Sequence, residues 1–409
     1  MKIIVIGGGP AGMMAAIRAA ENSSEVILFE KNNRLGKKLS ITGKGRCNLT
    51  NTAEISEVVK NIPGNGKFLY SALKNFTTTD TINFFESIGL KTKIERGGRV
   101  FPESDNAAEV IEVLTKKLYL LNVDIKLNSK VTEIISDGKK ILGVEVGGKF
   151  FDADAVILAT GGKSYPATGS NGDGFIFAKK LGHTVTKIFP ALVPLEVEED
   201  FIKPLQGLSL KNVRVTLKAD EKKISEIFGE MLFTHFRVSG PIILTLSGEV
   251  AKLLDEKKFV ELSINLKPAL TAEQLDARIL RDFEKFKRKS AKNALVELLP
   301  QKLISIILDL AYIDEEKKVD DITKKERHQL VEILQNFSLT VTKTRPIDEV
   351  IVTSGGISIK EINPKTLESK IISGLFIVGE VADVDGFTGG FNLQTAWATG
   401  NAAGKAAAN

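Results

Sequence analysis

The chain has 409 residues, 43 % of them hydrophobic and 26 % charged, an ordinary globular balance that excludes collagen-like, coiled-coil and wholly disordered sequence. A single cysteine, Cys47, leaves no internal disulfide or one-chain thiolate cluster, and His183, His235 and His328 lack ligand spacing, so no metal site is expected. Lys and Arg exceed Asp and Glu by 56 to 51, a net +5 too small by itself to demand a polyanionic partner.

The opening MKIIVIGGGP has too short an apolar run for a signal peptide, and no stretch approaches the roughly 18 apolar residues of a membrane span. With one cysteine, this points to a reducing, cytoplasmic setting and no membrane partner. Residues 2–6 (KIIVI) predict a strand, 10–21 (PAGMMAAIRAAE) a helix with proline at its start, and VILFE, ending at Glu30, a second strand. That order opens a doubly wound α/β sheet. Residues 31–51 read as a polar loop, and Lys31, Arg34, Lys37, Lys38, Lys44 and Arg46 occur in it with no acidic residue before Asn48. Helices are expected at 79–88 and 105–121, and strands at 123–127, 130–136, 141–147 and 154–159, with an Asp137-Gly138 turn between two of them.

Composition shifts near Pro190 and Pro194. Short strands and one helix (240–254) are expected to about 262, then helices through 271–335 broken at Pro300. Strands resume at 337–342 and 375–379, and a helix follows over 392–408, its small-residue end AAGKAAAN expected to pack closely on a sheet. The expected domains are 1–190 with 341–409, an inserted β part at 191–262 with 336–340, and an inserted helical part at 263–335.

Gly7-Gly8-Gly9-Pro10-Ala11-Gly12 fits G-x-G-x-x-G between a strand and a helix. Gly7 permits the turn, Gly9 lets a pyrophosphate approach the backbone, and Gly12 lets helix and strand pack. Glu30 ends the second strand, where an acid accepts hydrogen bonds from a ribose diol and disfavours a 2′-phosphate. FAD rather than NAD is favoured by two further segments. Ala159-Thr160-Gly161-Gly162 ends a strand in small residues, and Gly379-Glu380 through Gly390, Asn392 and Leu393 leads into a helix whose N-terminal N–H groups can stabilise negative charge on the flavin ring. No second dinucleotide fingerprint occurs with strand and helix context, so NAD(P)H as reductant would dock only transiently over the flavin, or the electrons come from the substrate.

In the basic loop, glycines at 43 and 45 allow the chain to fold back on a ligand, and Lys38, Lys44 and Arg46 are expected to neutralise a pyrophosphate or a polyanionic substrate. Cys47, flanked by cations, is expected to have a lowered pKa and to act as an acid or form a flavin adduct; the alternative is a small buried residue that packs the loop. His235, between strand-like sequence and Ser239-Gly240-Pro241, is a candidate general acid or substrate ligand. His183 and His328 read as structural or surface residues.

The strings TGKGRCNLTN (42–51), RVFPESDNAAEV (99–110), LATGGKSYPATGSNGDGF (158–175), MLFTHFRVSGP (231–241), TSGGISIKEINPKTLESK (353–370) and FIVGEVADVDGFTGGFNLQTAWATG (376–400) closely resemble a bacterial FAD-binding family. That family includes aminoacetone oxidase-like, bile-acid-inducible and ribosomal RNA dihydrouridine-forming members. The resemblance implies a glutathione-reductase-type, Rossmann-like FAD domain with an inserted β-barrel-like domain and a helical domain. It implies FAD contacts from Gly7, Gly9, Pro10, Ala11 and Gly12; from Glu30, Lys31, Lys38, Thr42, Gly43 and Asn48; from Val131, Ala159, Thr160 and Gly161; and from Gly379, Glu380, Asp385, Gly390, Asn392 and Leu393. Cys47, His235 and Arg46 are the catalytic candidates. The chain departs from the family at Arg237, where a small residue, often glycine, is usual; the change bears on the pocket beside His235.

The resemblance implies an FAD-dependent oxidoreductase. The preferred reaction is reduction of uracil to dihydrouridine in 23S ribosomal RNA, with the Lys31–Asn48 loop touching RNA phosphates. Oxidation of an amine, or reduction of a small conjugated ketone, is the alternative. A flavin-carrying RNA-binding protein without turnover is the reading from another class.

Overall fold

In the computed structural model, which describes residues 1–22, 24–235, 237–346, 350 and 352–409, the β-branched run Lys2–Ile6 forms strand β1 and Pro10–Glu21 forms helix α1. Proline suits the first helical position because its missing N–H would have no intrahelical partner. Strands β2 (Glu25–Phe29), β3 (Asp124–Lys126), β4 (Ala155–Leu158) and β5 (Leu375–Ile377) complete a parallel sheet in the order β5-β4-β1-β2-β3. In β1, Val5 lies opposite Ile157 on one side and Leu28 on the other. All three are fully buried, as parallel strands covered on both faces require.

The chain divides into two compact units, 1–190 with 346–409, and 191–345. In the first, helix α2 (Phe391–Ala407) lies against α1. A Cβ on Gly400 or Gly404 would meet the Ala11 or Ala15 carbonyl oxygen at 2.4 and 2.3 Å. Small residues therefore set the two helices backbone to backbone. The small-residue end expected to rest on a sheet rests chiefly on a helix. The meander Val131–Ser136, Ile141–Val146 and Lys149–Asp152 forms a second sheet, its first turn closed by Asp137 Oδ1 accepting from Lys139 and Lys140 N–H, both at 2.8 Å. Thr50–Asn51, Thr92–Glu95 and Arg99–Pro102 form a third. The hairpin in it and the helix Asp173–Lys180 were not read from the sequence, because short segments rich in glycine and lysine carry little periodicity.

The second unit contains a closed six-stranded barrel: Leu195–Val197, Arg237–Ser239, Lys222–Thr234, Ser209–Ala219, Val260–Asn265 and Phe337–Thr344, in that order round the ring. Helices Ala272–Lys285, Gln301–Leu310 and Lys324–Gln335 share one apolar core with it, through residues such as Leu262, Ile279, Ile307 and Leu334. Among the described residues no helix is long and apolar enough to cross a membrane.

Candidate FAD site

The site grows from the turn after β1. Gly7 N–H donates to the Phe29 carbonyl at 2.8 Å, and Gly8 N–H donates to Glu30 Oε2 at 2.8 Å. Glu30 Oε1 accepts from the Asn32 backbone at 2.8 Å and its side chain at 2.7 Å, so the buried carboxylate fixes the turn as well as ending β2. A Cβ at Gly12 would lie 1.9 Å from the Gly7 oxygen, whereas one at Gly9 would meet nothing within 4 Å. Gly12 is required by the fold; Gly9 leaves space. The N-terminus of α1 has no side-chain cap and no acid in its first turn, so its free N–H groups and positive dipole end, with Pro10 and Ala11, face whatever fills that space.

The other segments converge in the same unit. The Ala159 carbonyl oxygen lies 2.6 Å from where a Gly7 Cβ would be, and a Gly379 Cβ would lie 2.9 Å from Ala11 Cβ. Thr160 Oγ1 is buried with no partner in the protein, and Gly161 follows it in a left-handed conformation. Val131 is buried at the start of the meander. Asp385 is half-buried in the stretch leading to α2, where Asn392 closes the loop by exchanging hydrogen bonds with the Gly386 carbonyl and N–H, each 2.7 Å; Leu393 packs beside it on the core.

The loop 42–51 is clamped onto the start of α2. The Asn48 amide donates to the Val100 and Thr50 carbonyls at 3.2 and 3.0 Å and accepts from Gly390 N–H at 3.0 Å. Gln394 Oε1 accepts from the Thr50 and Thr81 hydroxyls at 2.7 and 2.8 Å, and Trp397 Nε1 donates to the Leu49 carbonyl at 2.9 Å. Gln394 and Trp397 escaped the sequence reading, since a tryptophan and an amide within a helical pattern look like core; the one available signal was that this is the chain's sole tryptophan. Helix α2 likewise has no side-chain cap at Gly390 and no acid in its first turn.

The basic loop departs from expectation. Lys31 Nζ pairs with Asp173 at 2.8 Å, and Lys38 Nζ with Glu380 at 2.7 Å while also donating to Ser164 Oγ at 2.6 Å. Burial pushes the Glu380 carboxyl up, but the Lys38 ammonium, with hydrogen bonds from Thr353 N–H and Ser164, outweighs it and holds the carboxyl below the usual range. Arg46 pairs with Glu95 and Asp105, the latter at 2.8 Å from Nε, and stacks on Phe101 at 4.2 Å. Half of the six cations are thus neutralised by the protein's own carboxylates.

Cys47 also differs. Its backbone turns through φ +61° and carries the side chain into the core, where it is 0 % exposed. Burial pushes the thiol up to about 12, a hydrogen bond with Thr42 offsetting only part of this, so the expected lowering by neighbouring cations is not found. Thr42 itself donates to the Leu39 carbonyl at 2.7 Å, and a Cβ on Gly43 would lie 3.1 Å from Asn48 N and 3.4 Å from the Phe101 ring. His183, read as structural, is buried between Glu361 at 3.2 Å and Ser369 Oγ at 2.9 Å.

Two catalytic candidates are therefore engaged within the first unit, Arg46 in ion pairs and Cys47 in the core. His235 belongs to the second unit, exposed in the turn after the long strand Lys222–Thr234. Arg237 beside it has φ +100°, the left-handed region that favours glycine, and its guanidinium donates to Asp200 at 2.9 Å. The departure from a small residue at this position is thus a strained one.

FAD fits the first unit on three observations: the empty space over Gly9, the uncapped starts of α1 and α2, and the unpartnered Thr160 hydroxyl. Fold and site define an FAD-dependent oxidoreductase. Residues 1–406 match the HI0933-like protein Rossmann domain, and the chain belongs to that family. It is 35 % identical over 409 residues to the 3-dehydro-bile acid delta(4,6)-reductase of Clostridium scindens, covering 100 % of this chain and 99 % of that one. It is 30 % identical over 401 residues to the ribosomal RNA dihydrouridine synthase of Haemophilus influenzae, covering 97 % and 96 %. Among solved structures, the 3-ketosteroid delta1-dehydrogenase of Sterolibacterium denitrificans aligns over 99 % of both chains with TM-score 0.53 at 12 % identity, a likeness of fold.

Proposed function

We propose that the chain reduces a carbon–carbon double bond conjugated to a carbonyl, and that its substrate is uracil in 23S ribosomal RNA, with NAD(P)H as electron donor. Relatives of both kinds support double-bond reduction: a delta(4,6)-reductase acting on a 3-dehydro compound, and a synthase of dihydrouridine, which is uridine with its 5,6 bond saturated. FAD, once bound and reduced by NAD(P)H, would supply the hydride, and the reaction balances with one NAD(P)H and one proton consumed as hydride adds to C6 and a proton to C5. The observation that carries the reading is the start of α2, uncapped and clamped to the loop at Asn48, Thr50 and Leu49, an arrangement suited to hold negative charge on a reduced ring.

Within this reading the turn at Gly7, Gly9, Pro10, Ala11 and Gly12 takes the pyrophosphate and Glu30 the ribose. Lys38, acting through Glu380, orders the loop. Arg46 positions the same loop and Cys47 packs it. His235 is the candidate proton donor or substrate ligand, a role that rests on the family resemblance. The protein works in the cytoplasm.

Deletion of the gene tests this. Loss of a dihydrouridine from 23S ribosomal RNA, restored by the wild-type chain, is expected; an unchanged content overturns the RNA substrate. The higher identity to the bile-acid reductase favours a small conjugated ketone as the second reading, and turnover of such ketones or of aminoacetone by the pure protein separates the remaining alternatives.

A further inference from the structure

We infer that the helical part of the second unit carries an RNA phosphate-binding surface centred on Arg288, Lys289 and Lys318; the choice of RNA as occupant rests on the substrate proposed above. The segment Lys285–Lys292 (KFKRKSAK) carries five cations and no acid. It leaves the helix Ala272–Lys285 through Arg288 at φ +66°. It then pairs with a second strip of chain: Ala291 N–H donates to the Lys317 carbonyl at 2.8 Å, Val319 N–H to the Lys289 carbonyl at 3.1 Å, and Ser290 bridges Lys318. Backbone hydrogen bonds, rather than flexible side chains, therefore set Lys318 beside Lys289.

Neighbouring cations have internal partners: Lys285 pairs with Glu297 at 2.6 Å, and Lys287 with Glu284 at 3.4 Å. Arg288, Lys289 and Lys318 are exposed, and among the described residues none has a carboxylate partner. Lys289 and Lys285 each lie 5.3 Å from the Phe286 ring centre. Backbone geometry holds these three cations where one anionic chain can meet them together, and the strip that carries Lys318 also exposes Glu316, Asp320 and Asp321. Cations flanking an aromatic ring match the phosphates and bases of single-stranded RNA.

The test is binding of an unmodified 23S ribosomal RNA transcript to the FAD-loaded protein over a salt series. R288E/K289E/K318E is expected to weaken binding by about tenfold or more and to reduce the slope of log affinity against log salt by about 2. Its flavin content and melting temperature should match wild type. The milder R288A/K318A should shift both readings in the same direction, and serves if the triple variant does not fold. Unchanged affinity and slope in a folded variant overturn the surface. Dihydrouridine content in the complemented deletion strain reports on the substrate separately. Wild type that restores the modification while the folded variant binds RNA normally overturns the surface alone. Wild type that neither binds RNA nor restores the modification overturns both.

Discussion

The loop 31–48 and the segment 285–292 look alike in sequence, each a run of cations without acids, and in both about half the cations meet carboxylates, three of six in the first and three of five in the second; what differs is how far away in the chain the partners lie. Asp173, Glu380, Glu95 and Asp105 come from distant parts of the chain to meet Lys31, Lys38 and Arg46, while Arg34 and Lys44 stay exposed without carboxylate partners among the described residues. In the second, Lys285, Lys287 and Lys292 pair with Glu297, Glu284 and Glu315, while Arg288 and Lys289, joined by Lys318 from the neighbouring strip, stay exposed and without carboxylate partners among the described residues. Counting charge along a chain does not tell which cations are neutralised within the fold; their partners elsewhere in the chain decide that.

The comparison breaks first if the loop pairs prove dispensable. Lys38→Met leaves the Glu380 carboxylate without its cation, and should cost about 3 kcal/mol of unfolding free energy and lower flavin content. Lys318→Met should stay within about 0.5 kcal/mol. Equal small losses in denaturant unfolding would contradict the distinction.

Gly9→Ala sharpens what the first region holds. The new Cβ has free space in the protein but occupies the approach of a pyrophosphate. The apoprotein should melt as wild type does while FAD affinity falls by about a hundredfold, or about 2.7 kcal/mol. Unimpaired FAD binding by calorimetry would move the pyrophosphate elsewhere.

Acid should dissolve the Lys38–Glu380 pair. Glu380 is held below its ordinary value, so its contribution is fully present above the unfolded carboxylate value of about 4.3 and lost as pH falls through the lower folded value. The deficit of Lys38→Met should therefore shrink below about pH 4. A deficit that is constant with pH would show that the ion pair is not its cause.

The smallest effect lies in the barrel. Arg237→Gly relieves a left-handed arginine and gives up a pair with the 70 % exposed Asp200 side chain. Unfolding free energy should rise by about 1 kcal/mol, read by thermal melts; a loss of that size would show the Asp200 pair outweighing the strain.

Local spacing made part of this legible. The Gly7–Gly12 turn and Glu30 are set by the geometry of one strand–helix–strand unit, and the structure forms α1 over the residues the pattern indicated. The loop was misread because its counter-ions lie far away in sequence, and because Cys47, next to Arg46 in the chain, turns away from it into the core. The clamp of Gln394 and Trp397 onto Thr50 and Leu49 joins segments more than three hundred residues apart, which no periodicity reveals.

FAD-dependent reduction of uracil in ribosomal RNA can be followed in one anaerobic experiment. The FAD-loaded protein is reduced with NADPH and mixed with unmodified 23S ribosomal RNA transcript. The oxidised flavin spectrum should return with stoichiometric formation of dihydrouridine; a flavin that stays reduced, with no dihydrouridine formed, would contradict uracil reduction by this protein.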